Sequence, residues 1–128
     1  MTATRDPIEV YRESLANMPL ANESQPPTIQ RAEVWPYPDL RRLWLRVETS
    51  SFAAFPNLEF AVFDPDDELV SHMLMIEIRQ PYQSVTLHLR QPPGAGGRYR
   101  LEIVLSRDER ELDTRTLAFD LAYRDPGQ

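Results

Sequence analysis

The stretch that decides the fold runs from Pro92 to Leu105 and reads PPGAGGRYRLEIVL. Its first half combines two prolines with three glycines, which predicts a loop, because neither residue type favours the interior of a helix or strand. Its second half alternates between two faces, with Tyr99, Leu101, Ile103 and Leu105 on one and Arg98, Arg100, Glu102 and Val104 on the other. This pattern predicts a strand that buries one face.

Tyr99 stands near the start of this strand, two residues before the core position Leu101. A tyrosine in this place is typical of the corner at which a β-sandwich fastens one strand to the preceding loop. We therefore expect the Tyr99 hydroxyl to bond the backbone a few residues upstream. Structural roles are expected for Gly97, Tyr99 and Leu101.

Six further runs have the composition of strands and are separated by proline-containing or polar turns. They are Thr28–Trp35, Leu40–Thr49, Leu58–Phe63, Leu69–Arg79, Ser84–Arg90 and Thr114–Tyr123. In the fourth strand, we expect Leu74, Ile76 and Ile78 to face one way together with His72, and Met73 and Met75 to face the other.

Seven strands with turns every 8–12 residues are the pattern of an immunoglobulin-like sandwich. On this strand count and on Gly97-Arg98-Tyr99-Arg100-Leu101, residues 28–123 resemble a bacterial immunoglobulin-like or fibronectin type III-like module. Antibody domains have a cysteine where Leu101 stands and a core tryptophan on the third strand, which this chain lacks. The resemblance implies an all-β, antiparallel sandwich and no particular activity.

A short amphipathic helix is predicted before the strands. Asp6 and Pro7 form a helix start, and Ile8, Tyr11, Leu15 and Met18 form one apolar stripe. We divide the chain into residues 1–27 (helix and proline-containing linker), 28–124 (sandwich) and 125–128 (tail).

Composition restricts the function. The net charge of −6 disfavours nucleic-acid binding, which needs a basic surface. No cysteine is present, so disulfides, thiolate metal sites and cysteine nucleophiles are excluded. The amino-terminal residues have no pattern of a signal peptide, and no apolar run has the length of a membrane span, so we expect a cytoplasmic protein without a membrane partner.

Few residues suit catalysis or metal binding. His72 and His88 lie on different predicted strands without metal-ligand spacing, and neither stands beside a nucleophile in sequence. Asp64, Asp66, Asp67 and Glu68 could bind Ca²⁺, but turn propensity already explains them. The glycine loop opens into a strand, whereas a phosphate-binding loop opens into a helix. We expect no cofactor, no metal and no catalytic residue.

Two predicted surfaces are unusual. The first is an apolar outer face formed by Ala61, Phe63, Met73, Met75, Val104, Ala118 and Ala122. Because monomers rarely expose such a patch, we expect either the amino-terminal helix or another protein chain to cover it. The second is the outward row Arg42, Trp44 and Arg46, near Trp35 and Tyr37. It suits a binding site for a protein or a sugar, or simple cation–π stacking within the face.

Tentative partner-binding residues are therefore Arg42, Trp44, Arg46, Phe63, Met73 and Met75. The sequence favours a non-catalytic protein-interaction or assembly module, with self-association as its leading form. The alternative is a sandwich module that binds carbohydrate or another small ligand through tryptophan and arginine. A hydrolase using His72 or His88 with an acidic partner is the remote third reading.

Overall fold

The computed structural model describes residues 25–90 and 97–123. Seven strands are present there: β1 Ile29–Pro36, β2 Arg42–Thr49, β3 Asn57–Phe63, β4 Leu69–Met75, β5 Tyr82–His88, β6 Arg98–Arg107 and β7 Arg110–Asp120. The predicted helix and the loop from Gln91 to Gly96 lie outside the described residues. Within the described part, no helix has the length and hydropathy to cross a membrane.

The strands form two antiparallel sheets. One has the order β1-β2-β5, and the other has the order β4-β3-β6-β7. Both sheets bury one face in a single core, as the alternation in the sequence predicts. Leu43 and Leu45 enter this core from β2, Phe60 enters from β3, and Leu101 and Ile103 enter from β6.

The hairpin between β6 and β7 is tighter than predicted. Arg107 pairs with Arg110, so only Asp108 and Glu109 form the turn. Both have positive φ, 53° and 63°, as a two-residue turn of the primed type requires. Such a turn usually contains glycine. Because no glycine stands here, the sequence did not predict this hairpin. β7 therefore begins earlier than expected and ends before Tyr123, which is exposed.

The predicted facing of β4 is wrong. Met73 and Met75 pair with Phe60 and Leu58 and pack against the core, whereas Leu74 is 50% exposed. The error arises at Glu77, whose φ of 55° interrupts the strand between Met75 and the buried Ile78. Because the chain turns there, alternation counted back from Ile78 reverses the two faces.

Gly97 and Tyr99 fix the beginning of β6. Gly97 has a φ of 118°, and a Cβ atom added to it would lie 2.7 Å from Cγ of Pro65. Tyr99 is 6% exposed, and its ring centroid lies 5.9 Å from that of Phe119. Within the described part, its hydroxyl forms no hydrogen bond with the backbone. The backbone directly upstream lies outside the described residues.

One side of the molecule is closed by bonds between the two sheets. The Ile29 amide donates to Oδ2 of Asp113 at 2.7 Å, and Nη2 of Arg115 donates to the Ile29 carbonyl at 2.7 Å. The start of β1 is thus joined to β7, although the two belong to different sheets. On the opposite side, the Arg90 amide donates to the Val70 carbonyl.

Candidate interaction surfaces

The outer face of the sheet β1-β2-β5 carries a row of aromatic rings and guanidinium groups. We call it the arginine–aromatic ladder, and it consists of Trp35, Tyr37, Arg42, Trp44, Arg46 and Tyr82. The Trp35 and Trp44 ring centroids are 4.9 Å apart. The guanidinium carbon of Arg46 lies 5.5 Å from the Trp44 centroid and 5.3 Å from that of Tyr82. Arg42 lies 4.4 Å from the Tyr37 centroid.

Hydrogen bonds hold the ladder in place. The Trp44 indole donates to Oγ of Ser84 at 2.7 Å, and Nε of Arg46 donates to the Tyr82 hydroxyl at 2.6 Å. At the other end, Nε of Arg42 donates to Asp39 at 3.0 Å. The Arg41 amide is the largest cause that lowers the pKa of Asp39 below its usual value, and Arg42 lowers it further. Arg42, Trp44, Arg46 and Tyr82 are therefore held before any ligand arrives.

The sequence predicted only part of this ladder. Arg42, Trp44 and Arg46 were expected on one outer row, and the structure places them there. Tyr82 was missed because its contact with Arg46 depends on how β2 and β5 align, which periodicity within one strand does not reveal. The contacts within the row are those of cation–π stacking, which is the simpler of the two predicted readings.

Beside the ladder lies a shallow depression of about 40 Å³. Arg46 and Tyr82 line it together with Arg31, Glu33 and Glu48. Arg31 forms an ion pair with Glu33. A volume this small holds one or two water molecules and not a sugar ring. A ligand on this face would have to lie on the surface, against the edges of the rings.

Several ion pairs lie on the outer face of the sheet β4-β3-β6-β7. Arg100 lies 2.7 Å from Asp67, 3.1 Å from Glu102 and 4.4 Å from the centroid of Phe63. The hydrogen bonds to Asp67 and then Glu102 raise the pKa of Arg100 above its usual value. Phe63, which was predicted as an exposed binding residue, is therefore half-buried beneath a guanidinium group.

The exposed apolar side chains of this sheet are not those that were predicted. Met73 and Met75 leave the outer face because β4 faces the opposite way, which corrects their predicted role as exposed contacts. Instead, Leu69, Leu74 and Ile76 are 41%, 50% and 70% exposed. All three belong to β4 and the residue that follows it, at the end of the sheet. We call residues 69–76 the β4 edge.

The residues weighed for chemistry are separate from one another. His72 is exposed on the outer face, and its Nε2 lies 2.7 Å from Oε2 of Glu59. No hydroxyl of the described residues bonds either member of this pair. His88 lies on the other sheet, opposite Arg42. Asp64 accepts hydrogen bonds from the amides of Asp66 and Glu68, as an acidic turn does.

Within residues 25–90 and 97–123, no three His, Cys, Asp or Glu side chains are close enough to bind a metal ion together. In the acidic turn, Asp64 accepts the hydrogen bonds within the turn and Asp67 forms the ion pair with Arg100.

Comparison with known proteins gives similarity of structure alone. No family model matches the chain, and no curated protein matches its sequence. Among solved structures, a glycosyl hydrolase family 2 member from Bacteroides cellulosilyticus matches 75% of this chain with a TM-score of 0.56 and 12% identity. A β-glucuronidase from glycoside hydrolase family 2 matches 73% with a TM-score of 0.54 and 17% identity.

A third similar structure is the Bifidobacterium dentium β-glucuronidase in complex with coumarin-3-O-glucuronide. It matches 74% of this chain with a TM-score of 0.55 and 11% identity. This chain covers only 15%, 12% and 18% of the three neighbours, respectively. The similarity therefore concerns the fold of one small part of each glycoside hydrolase.

Proposed function

We propose that this chain is a non-catalytic assembly module, built on an immunoglobulin-like β-sandwich, that associates with a second copy of itself. The antiparallel strands in two sheets and the similarity to a small part of larger enzymes support a module of this kind. The functional residues are then those of a surface and not of a cleft. A cytoplasmic location remains part of the proposal.

One observation carries the proposal. Of the five large hydrophobic side chains that are most exposed in the described residues, three belong to the β4 edge: Leu69, Leu74 and Ile76. Single exposed apolar side chains are ordinary on protein surfaces, whereas a cluster on one element is typical of a contact surface. On the other outer face, the aromatic side chains of Trp44 and Tyr82 are already held by internal hydrogen bonds, so that face has less to gain from burial.

Sedimentation velocity over a wide concentration range tests the proposal. We expect the average mass to rise with concentration and to approach that of a dimer, because burial of apolar surface drives association. A strictly monomeric chain at the highest concentration would overturn it. Repeating the measurement in high salt distinguishes an apolar contact from a charged one. Screening by salt weakens association through charges but should not weaken association through apolar surface.

The ladder supports a second candidate function, the binding of carbohydrate or another small ligand. Its specific support is the pair of tryptophans with two neighbouring arginines, which are residue types enriched in binding hot spots. Because Trp44 and Arg46 are already held by hydrogen bonds, a ligand would not have to order them.

Titration of tryptophan fluorescence with neutral and acidic oligosaccharides tests this alternative. The chain has two tryptophans, Trp35 and Trp44, and both belong to the ladder. Binding there should change their emission and should be lost in Trp44→Ala. Arg79→Ala, which removes another arginine stacked on an aromatic ring, is the control and should leave binding intact. No response to any oligosaccharide would eliminate carbohydrate binding by the ladder.

The hydrolase reading has the weakest support. Glu59 and His72 form an acid–base pair, but they lie on an exposed sheet face, and no described hydroxyl is in hydrogen-bond contact with them. Catalysis by such a pair requires a positioned nucleophile or water and a site that excludes bulk solvent. A hydrolytic activity abolished by His72→Gln would revive this reading.

A further inference from the structure

We propose that two copies of this chain pair antiparallel through their β4 strands, so that two four-stranded sheets become one sheet of eight strands. This inference rests on the self-association proposed above and assigns its surface and geometry. β4 ends its sheet, and β3 is its only strand neighbour among the described residues. The edge of a sheet presents backbone donors and acceptors that another strand can satisfy.

Charge distinguishes β4 from the edge strands on the far side of the molecule. β7 carries Arg110, Glu111, Asp113 and Arg115, and β1 carries Arg31 and Glu33 and ends in Pro36. Charged residues and proline are the usual means by which proteins protect sheet edges from pairing. The β4 edge, which reads LVSHMLMI, contains no Asp, Glu, Lys, Arg or Pro.

β5 is also an uncharged edge strand, but its outer surface is different. Its outward side chains are mainly polar, and Tyr82 is bound by the guanidinium group of Arg46. Only β4 combines an uncharged edge with exposed aliphatic side chains, among the strands that the structure describes. Pairing through β4 would satisfy backbone groups and bury Leu74 and Ile76 in the same step.

The second half of β4 is the part available for pairing. At its beginning, the Val70 carbonyl already accepts the hydrogen bond from the Arg90 amide. Beyond that point, His72 and Leu74 face outward, and Ile76 is exposed just after the strand. A two-fold axis through Leu74 places the two Leu74 side chains beside each other, with directly opposed Cβ atoms about 5 Å apart.

A second copy fits this edge because antiparallel self-pairing about Leu74 opposes His72 to Ile76 and Leu74 to Leu74, and places no Asp, Glu, Lys or Arg of the edge against another. The net charge of −6 makes two copies repel each other in most orientations. Antiparallel pairing at Leu74 keeps the two acidic turns at opposite ends, on the order of 40 Å apart by strand geometry. That separation is several times the screening length of about 8 Å at physiological salt.

The first experiment places a charge at the proposed axis. Leu74→Lys puts two like charges side by side in the pair, so we expect the dimer dissociation constant to rise at least about tenfold. Thr116→Lys is the matched control: it adds the same charge at an exposed outer position of the same sheet, but on the β7 edge. Unchanged association in Leu74→Lys would overturn the proposed pairing.

The second experiment uses the absence of cysteine from the chain. Oxidation of Leu74→Cys should join most of the protein into a disulfide-linked dimer, because the opposed Cβ atoms come close to disulfide geometry. Thr116→Cys, treated in the same way, should stay largely monomeric. Circular dichroism and the melting temperature establish that all four variants are folded.

The outcomes separate this inference from the proposed function. If the protein dimerises but Leu74→Lys is neutral and Leu74→Cys does not cross-link, the chain is an assembly module with a different contact surface. If the wild-type protein stays monomeric, both the function and the pairing are wrong. Association with a different protein, blocked by Leu74→Lys, would retain β4 as the contact and overturn the second copy as its partner.

Discussion

The two open sides of the molecule are built in different ways. On the side of β1 and β7, side chains join the two sheets, because Asp113 and Arg115 both bond the backbone of Ile29. On the side of β4 and β5, a backbone bond from Arg90 to Val70 joins the chain after β5 to β4. The first side is rich in charges and the second has none in its two edge strands.

The difference shows how one fold can protect one sheet edge from pairing with another strand and leave a second edge available for such pairing. A charged edge keeps its unpaired backbone groups solvated and repels a second strand, whereas an uncharged edge does neither. Closure by side chains also fixes β1 against β7, so that neither strand is free to exchange partners. Self-association is therefore expected on the β4 side only.

Leu101→Ala should have the largest effect, because both sides rest on one core. Leu101 is fully buried in β6, between β3 and β7. Removing its side chain should lower the free energy of unfolding by about 2–5 kcal/mol, as large-to-small core changes do. Urea denaturation measures it. A loss below about 1 kcal/mol would contradict the close packing of Leu101 in the core.

Gly97→Ala should destabilise the protein at the start of β6, beside the turn that leads into β4. At a φ of 118°, a side chain costs about 1–3 kcal/mol, and the new Cβ would also meet Pro65 in the turn before β4. Urea denaturation of Gly97→Ala, Pro65→Ala and the double variant forms a cycle that separates the two causes. If Pro65→Ala restores none of the loss, backbone strain alone accounts for it.

Asp113→Ala should open the β1 side. The part-buried Ile29 amide loses its acceptor, so we expect a loss of about 1–2 kcal/mol. Asp120→Ala is the matched control on the same strand, because its ion pair with Arg98 is exposed and should contribute little. Hydrogen exchange at Ile29 should accelerate in Asp113→Ala alone. Equal losses in the two variants would contradict the special role of this bond.

Tyr99→Phe should have the smallest effect at neutral pH, below about 0.5 kcal/mol, because the hydroxyl has no hydrogen-bond partner in the described part. Burial first, and then the charge of Asp64, raise the pKa of Tyr99 above its usual value of 10.0. Above that pH the unfolded chain releases the proton before the folded chain does, so wild-type stability should fall as pH rises. Unfolding curves should show a smaller fall in Tyr99→Phe.

Strand positions were predictable because one face of each strand is buried. Alternation alone gives the core residues of β2, β3 and β6, and it places Arg42, Trp44 and Arg46 on an outer face. It failed in β4, where the positive φ of Glu77 reverses the relation between Ile78 and the preceding residues. A backbone conformation of this kind leaves no reliable trace in a residue that is not glycine.

Contacts between strands were less predictable than the strands themselves. The ladder needs the alignment of β1, β2 and β5, and the covering of Phe63 by Arg100 needs that of β3 and β6. Both alignments depend on turns and on packing across the core. The alternation of residues within one strand therefore does not predict them. The β4 edge followed from strand order, which the sequence left open.

The bonds between Ile29 and β7 have a consequence for the order in which the protein can fold. Ile29 precedes Asp113 and Arg115 by 84 and 86 residues. At a synthesis rate of about 5–20 residues per second, Asp113 and Arg115 are therefore added to the chain several seconds or more after Ile29. Contacts so distant in sequence also slow folding, because a long loop must close first. The side of the molecule that is best protected once folded is thus the last that a growing chain can complete.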